Sequence, residues 1–175
     1  MICYETDRLQ VRHLKPEDLD DLAALCADPL AMQYMDDGEL LTREECEGWI
    51  DTCQIKYRDR GYGTSAIIER SSGDFVGFCG VIRAPENDFD EIIYALKQDH
   101  WGKGYATEVA QAMLEYVFEI SELDVIYATI DPDNLTSQKM MPKLNMPLHE
   151  DRKNDDGSTT RVYAIHRQAW ASKSA

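Results

Sequence analysis

Apolar residues recur at helical spacing in some stretches of this chain and cluster in short β-branched or aromatic runs in others, so the pattern alone predicts a mixed α and β domain. The clearest stripe is Ala106, Val109, Ala110, Met113, Leu114 and Val117, which fall on one face of a helix. Another, Leu19, Leu22, Ala23 and Cys26, follows Pro16, a residue suited to a first helical position, and a short helix is expected near Pro29 to Met35. Thr42-Arg-Glu-Glu45 reads as a capping box, opening a helix whose Cys46, Trp49, Ile50, Cys53 and Tyr57 share a face and which Gly61 ends. Strand-like runs at Tyr62 to Glu69 and Phe75 to Ala84 are joined by the turn cluster Arg70-Ser-Ser-Gly-Asp74, an antiparallel hairpin pattern. Further strands are expected at about 89 to 97, at Val125 to Ile130, and at Leu148 to Asp151 and Thr160 to Arg167, the last two separated by the turn Asn154-Asp-Asp-Gly157. Asn134 opens a short helix that Pro142 must end or kink, since its ring clashes with the carbonyl four residues back and it donates no hydrogen bond. The fold class is therefore α+β, a central, mostly antiparallel sheet flanked by helices.

Between the strand Glu91-Ile-Ile-Tyr-Ala-Leu-Lys97 and the most periodic helix lies Gln98-Asp-His-Trp-Gly-Lys-Gly-Tyr-Ala-Thr-Glu108, with two glycines one residue apart. Glycines let a backbone turn tightly and approach a ligand closely, and the following helix offers its unpaired first-turn N–H groups to an anion. A Gly-Lys-Gly in this place can also be a tight turn and nothing more. The spacing excludes two familiar phosphate loops. G-x-x-x-x-G-K-[ST] fails because Gly104 follows Lys103 and Lys97 stands five places before Gly102, and G-x-G-x-x-G fails because position 107 is Thr.

Trp101-Gly-Lys-Gly-Tyr-Ala-Thr-Glu108 resembles the x-x-G-x-G/A pyrophosphate loop of the GNAT superfamily of N-acetyltransferases, specifically its ribosomal-protein (Rim-type) branch. Glu5-Thr-Asp-Arg-Leu-Gln-Val-Arg12 is similar to that branch's first strand, and Asp131-Pro-Asp-Asn-Leu-Thr-Ser137 matches its N-x-x-S segment. The landmarks run in the right order from residue 5 to about 167. The chain departs from the pattern at Lys143-Leu-Asn-Met146, where glycine usually precedes the last residue; Asn tolerates the left-handed cap conformation better than most. The resemblance implies a single N-acetyltransferase domain over residues 1–175, a GNAT fold whose mixed sheet has about seven strands.

Length is consistent with one domain: 175 residues suffice for a sizeable core and are too few for two ordinary domains. No stretch approaches the roughly 20 apolar residues of a membrane span, and the N-terminus lacks a basic segment followed by an apolar one, so a cytoplasmic protein without a membrane partner is expected. The five cysteines, odd in number and without a C-x-x-C pair, read as reduced packing residues, the four histidines are scattered, and no metal is expected. A formal charge of −15 argues against nucleic acid as a partner. It suits a cationic amine, although acidity also serves solubility alone. Coenzyme A is itself an anion, and Lys97, Lys103, Lys139 and Lys143 flank the segments expected to hold it. A homodimer is a reasonable expectation for an open sheet with free edges.

Acetyl transfer from a thioester to an amine requires a held coenzyme, a deprotonated amine and a stabilised thiolate. The expected acetyl-CoA ligands are the backbone N–H groups of Trp101, Gly102, Lys103, Gly104, Tyr105 and Ala106 and of the helix start through Thr107, with Lys103 adding charge. The resemblance adds the backbone of Leu96 and Lys97 for the pantetheine arm. A backbone N–H near Tyr94 to Leu96 is expected to meet the oxyanion. Asn134 caps its helix, binds the coenzyme arm, or both. Ser137 is placed to assist the thiolate, a modest task for a leaving group of pKa near ~8.5. The family's usual tyrosine acid is absent from this helix. Glu91 is the first choice of general base, by resemblance, with Glu150, Asp155 and Asp156 as alternatives. Trp49, Tyr34 and Met35 are candidates to line the acceptor cleft, and Trp49 is equally a core residue. The expected function is acetyl transfer from acetyl-CoA to a primary amine, a protein N-terminus or a small molecule, by direct attack; a non-catalytic acyl-CoA-binding module is the alternative.

Overall fold

The computed structural model describes residues 1–35, 38–83 and 89–172. Two strands, β1 (Ile2–Glu5) and β2 (Leu9–His13), form an antiparallel hairpin, followed by a 3-10 turn at Pro16–Asp18 and three helices, α1 (Leu19–Cys26), α2 (Pro29–Met32) and α3 (Arg43–Arg60). Strands β3 (Ser65–Glu69), β4 (Phe75–Arg83) and β5 (Asp90–Leu96) form a meander, and the expected strand end at Ala84 lies outside the described residues. Then come a 3-10 turn at Gln98–His100, α4 (Tyr105–Ile120), β6 (Val125–Ile130), α5 (Leu135–Met140), β7 (Leu148–Lys153), β8 (Thr159–His166) and α6 (Arg167–Ala171). The sheet order is β1-β2-β3-β4-β5-β6-β8-β7, and β5 with β6 is its parallel pair.

Local chemistry explains most boundaries. Thr42 and Glu45 form the expected reciprocal cap of α3, and Gly61 closes that helix in the left-handed conformation at φ 80°. Helix α5 stops before Pro142, and Asn145 adopts φ 58°, as the Lys143-Leu-Asn-Met146 departure requires. The segment expected as one strand, Glu5 to Arg12, is instead a hairpin, which raises the sheet from about seven strands to eight. The Thr6 amide donates to the Leu9 carbonyl at 2.8 Å and the Thr6 hydroxyl accepts from the Leu9 amide at 3.0 Å, closing a turn inside that segment.

The sheet carries one core on each face. Val109, Ala110, Met113, Leu114 and Val117 of α4 pack with Met140, Leu144 and the even positions of β6, Ile126, Ala128 and Ile130. On the other face Leu22, Cys26, Cys46, Ile50 and Cys53 from α1 and α3 pack with Phe78 and Ala95. All five cysteines are free, four of them buried, as packing residues would be. Among the described residues no helix is long and apolar enough to cross a membrane.

Candidate active site

Beyond Leu96 the chain makes one 3-10 turn and enters the glycine loop, where Gly102 and Gly104 take φ of 73° and 82°. Both angles lie in the left-handed region that an L side chain enters only at a cost of about 1–2 kcal/mol, so the loop's shape requires glycine twice. Gly104 is the N-cap of α4 and has no side chain to satisfy the first turn; the first helical bond runs from the Glu108 amide to the Gly104 carbonyl at 3.2 Å. Among the described residues, the amides from Gly102 to Thr107 have no acceptor inside the protein. Successive unpaired N–H groups at the start of a 16-residue helix are an arrangement that can hold an anion.

Not every expected donor is available. The Trp101 amide donates to the Gln98 carbonyl at 3.0 Å, and its indole Nε1 donates to the Leu96 carbonyl at 2.8 Å. Trp101 therefore braces the loop, with 47% of its surface exposed. Lys97 turns away: its Nζ pairs with Asp21 at 2.5 Å, its amide donates to the Val76 carbonyl at 2.9 Å, and its carbonyl accepts from His100. Alternation along the strand then directs the Leu96 amide to the opposite edge, toward β6. Lys103 stays on the surface, its Nζ 3.4 Å from His100 Nδ1. The Tyr105 phenol donates to Glu69 and its ring is buried under the Arg8 guanidinium, 4.6 Å from the ring centre, so this side chain anchors the helix start. Ala106 and Thr107 are half-buried in the first turn, Asn134 and Ser137 are half-buried in α5, and Lys139 and Lys143 are exposed.

A second brace went unread in the sequence because it joins residues 100 apart. Arg8 donates from Nε to Glu108 Oε2 at 2.7 Å, from its amide to Glu108 Oε1 at 3.1 Å, and from Nη1 to the Lys103 carbonyl at 2.8 Å. Thr6 adds a hydroxyl donor to Glu108 Oε1 at 2.5 Å. Burial alone would raise the Glu108 carboxyl, but the bonds from Thr6 and Arg8 outweigh it and hold the group below its ordinary value. The β1–β2 turn thus fixes both the peptide between the two glycines and the first turn of α4. The motif residues Thr6, Arg8 and Glu108 carried a signal in their presence, but none in their pairing.

Strands β5 and β6 are registered at one position, Glu91 opposite Tyr127. Past that point toward the glycine loop the parallel ladder ends, which leaves the β6-side edge of β5 unpaired near Leu96. Glu91 is 7% exposed and accepts from the Thr129 hydroxyl. Because Ile126, Ala128 and Ile130 fill the α4 core, Tyr127 and Thr129, and Glu91 with them, lie on the face of α1 and α3. Tyr94 lies on the other face, and its hydroxyl meets Ser137 Oγ at 2.7 Å. Ser137 in turn is placed by its amide, which donates to the Asn134 side chain at 3.0 Å, so Asn134 caps α5.

The alternative acids do not join this group. Glu150, Asp155 and Asp156 sit on the outermost hairpin, with β8 between β7 and β6. Glu150 pairs with Arg152 at 3.1 Å, and Asp156 accepts from the Ser158 amide at 2.8 Å. Trp49 packs edge-on against Phe78 at 4.9 Å between ring centres, a core contact, and Met35 packs beside the same cluster. Tyr34 reaches the β6–α5 turn and donates to the Asp133 carbonyl at 3.4 Å. Among the described residues no three His, Cys, Asp or Glu side chains are grouped to hold a metal ion.

Comparison with known proteins gives a consistent result. The family model described as an acetyltransferase (GNAT) domain matches residues 8–147. An N-acetyltransferase of Bacillus licheniformis, p20, itself uncharacterized, is 30% identical over 141 residues, 80% of this chain and 79% of its own. Among solved structures, the ribosomal L7/L12 alpha-N-protein acetyltransferase RimL with coenzyme A superimposes with a TM-score of 0.79 at 18% identity, covering 97% of this chain and 99% of the other. Spermidine N-acetyltransferase from Vibrio cholerae, with CoA and spermine, does so with a TM-score of 0.79 at 17% identity, covering 95% and 99%. Two neighbours of equal structural similarity thus carry names with different acceptors, and at these identities they speak for the fold alone.

Proposed function

The chain belongs to the GNAT acetyltransferase family and is an acyltransferase with acetyl-CoA as co-substrate, and from that premise we propose that it acetylates a primary amine by direct attack, with Glu91 as base and Ser137 beside the leaving sulfur. The observation that carries this reading is the row of unpaired amides from Gly102 to Thr107 directly after a strand whose β6-side edge is open. Those amides would take the pyrophosphate, and the Leu96 amide on the free edge would take the pantetheine arm as an added strand does. The Lys97 backbone is occupied and is left out of this role.

Glu91 would take the ammonium proton, directly or through water, from an acceptor entering on the α1 and α3 face. The neutral amine nitrogen then bonds to the carbonyl carbon; as the tetrahedral intermediate collapses the nitrogen gives its second proton to water, the C–S bond breaks, and the electron pair stays on sulfur near Ser137. Asp131 and Asp133, exposed at the end of β6, give the approach a negative field that favours a cationic acceptor. A protein N-terminal amine, in the manner of the Rim-type branch, and a small polyamine both meet this requirement. The test is thiol release from acetyl-CoA against peptides with free N-termini, lysine peptides, polyamines, amino acids and aminoglycosides, with a control lacking acceptor. Turnover confined to one class identifies the acceptor, and silence across the panel overturns the primary-amine reading.

A further inference from the structure

Two hydroxyls from opposite flanks of the β5–β6 opening meet at 2.7 Å: Tyr94 from β5, three residues past the last paired position, and Ser137 from the first turn of α5. We propose that Tyr94 is a positioning residue for the leaving thiolate, donating its phenolic hydrogen to Ser137 Oγ and so turning the Ser137 hydrogen outward toward sulfur. The inference rests on the reading of Ser137 given above and extends it to a strand residue.

The direction of the hydrogen bond follows from the two groups. A phenol of ordinary pKa near ~10 is a far stronger donor than an aliphatic alcohol, and it has one hydrogen to give. Ser137 Oγ can accept that hydrogen and still donate its own. The Ser137 backbone is already fixed through Asn134 at 3.0 Å, so its hydroxyl rotation is the remaining freedom, and Tyr94 removes it. Tyr94 is not itself the acid. Burial pushes its phenol above the ordinary value, partly offset by the bond to Ser137, whereas a thiol titrates near ~8.5, so a proton passed from Tyr94 to the thiolate would run uphill. During the reaction Tyr94 keeps its proton, the ammonium's first proton leaves to the base and the nitrogen's second to water, and the sulfur charge is met by the Ser137 O–H until water supplies the proton of free coenzyme A. This also gives the chain a substitute for a tyrosine acid on α5: the phenol is present, but it comes from β5 and acts through serine.

The experiment compares Tyr94→Phe, Ser137→Ala and the double variant, each checked for an unchanged melting profile. With a competent amine, each single variant should lose roughly tenfold in kcat with KM for acetyl-CoA unchanged, about the worth of one hydrogen bond. The double variant should be no slower than Ser137→Ala alone, because Tyr94 acts only through Ser137. A readout without acceptor is the ultraviolet titration of the thiolate of bound coenzyme A. Its pKa should lie below ~8.5 in the wild type and return upward equally in Tyr94→Phe and Ser137→Ala. Losses that multiply in the double variant, or a bound thiol that titrates identically in the wild type and Tyr94→Phe, would overturn the proposal. A low thiol pKa in a protein that acetylates none of the amines supports the hydroxyl pair and removes the primary-amine reading, which separates the two failures.

Discussion

The brace between the β1–β2 turn and the glycine loop makes a prediction whose sign distinguishes positioning from simple electrostatics. Glu108 carries a negative charge in the first turn of α4, beside the amides proposed to hold an anion. Point-charge reasoning says that its removal favours a pyrophosphate: for a separation on the order of 8 Å in water-like dielectric the gain is about 0.5 kcal/mol for each of its two charges, which screening at about 0.1 M salt brings back to about 0.5 kcal/mol in total, roughly a twofold tighter complex. The structure argues the reverse. Glu108 accepts from Thr6 Oγ1 at 2.5 Å and from the Arg8 amide and guanidinium at 3.1, 2.7 and 2.5 Å, and the same guanidinium holds the Lys103 carbonyl at 2.8 Å. Glu108→Gln keeps the shape and one acceptor oxygen, but removes the charge opposite the Arg8 guanidinium and puts an NH2 where a second oxygen accepted from Arg8 or Thr6. The nominal loss is about 1 kcal/mol per bond, but Arg8 is 47% exposed and solvent screens its pairing, so about 1–2 kcal/mol in total is expected.

If that free energy holds the peptide between Gly102 and Gly104 in its left-handed shape, most of it reappears in affinity as a net weakening of roughly three- to tenfold, after the electrostatic gain is subtracted. Titration calorimetry with coenzyme A at two ionic strengths measures this directly, and thermal melts report the stability change. Arg8→Lys, which retains the charge and loses the planar fork, should weaken binding in the same direction. Coenzyme A binding to Glu108→Gln that is tighter than, or equal to, wild type would refute the positioning argument.

The remaining predictions concern the loop, the base and pH. Gly104→Ala meets only Arg8 Nη2 at 3.6 Å, ordinary contact, so its cost is the left-handed backbone, about 1–2 kcal/mol; Gly73→Ala, at φ 80° in the β3–β4 turn with no atom within 4 Å, carries the same cost elsewhere. Both should lower melting temperature alike, while only Gly104→Ala weakens coenzyme A binding several-fold, and equal affinities would remove the loop from the binding site. Glu91→Gln can still accept from Thr129 and should fold normally, yet lose at least about 100-fold in kcat with coenzyme A affinity unchanged; activity within threefold of wild type would transfer the base role elsewhere. Burial first, then the N-terminal ammonium, lowers the His13 imidazole below its ordinary 6.5, and its ring stacks on Tyr57 at 3.7 Å. The folded state therefore binds fewer protons, so this contribution to stability is complete above pH 6.5 and shrinks as pH falls toward the folded value. Melting curves should show that slope, and His13→Gln should flatten it.

What the sequence revealed and what it concealed follow from the range of the interactions. Capping at Thr42 and Glu45, the stop at Pro142, the left-handed Asn145 and the apolar stripe of α4 are settled within a few residues, so their pattern is written locally. The glycine loop was legible for the same reason: a conformation that only glycine takes cheaply, followed by a helix start, is a property of adjacent residues. The break at Thr6 to Leu9 was missed because the alternation of Glu5 to Arg12 is compatible with one strand, and the turn depends on a threonine hydroxyl that is equally at home in a strand. Lys97 is expected from the sequence to lend its backbone to the pantetheine arm and its charge to the same region; its amide instead donates to the Val76 carbonyl and its ammonium pairs with Asp21, 76 positions earlier, and neither direction is written in the sequence.

The chemistry proposed for the thioester sits at the far end of that scale. Tyr94 and Ser137 are 43 positions apart, and Glu91 and Thr129 are 38 apart, on two strands registered at a single position. The same sheet accident decides both pairs. Where β5 and β6 are in register, Glu91 is set on the α1 and α3 face with a threonine donor; beyond the register, the strands cease to bond and Tyr94 meets a helix residue instead of a strand neighbour. Strand alternation puts position 91 and position 94 on opposite faces, so the acid and the phenol flank the opening from its two sides. On the proposed roles, a base that meets the amine from one face and a hydrogen-bond donor that meets the sulfur from the other can act on the same tetrahedral intermediate without competing for one space. Moving either residue by one position along β5 would put both groups on the same face, so the proposed roles predict that the spacing of three between Glu91 and Tyr94 matters for transfer. An inserted residue between them, compensated by a deletion between β4 and β5, should abolish transfer while leaving coenzyme A binding at the downstream loop intact.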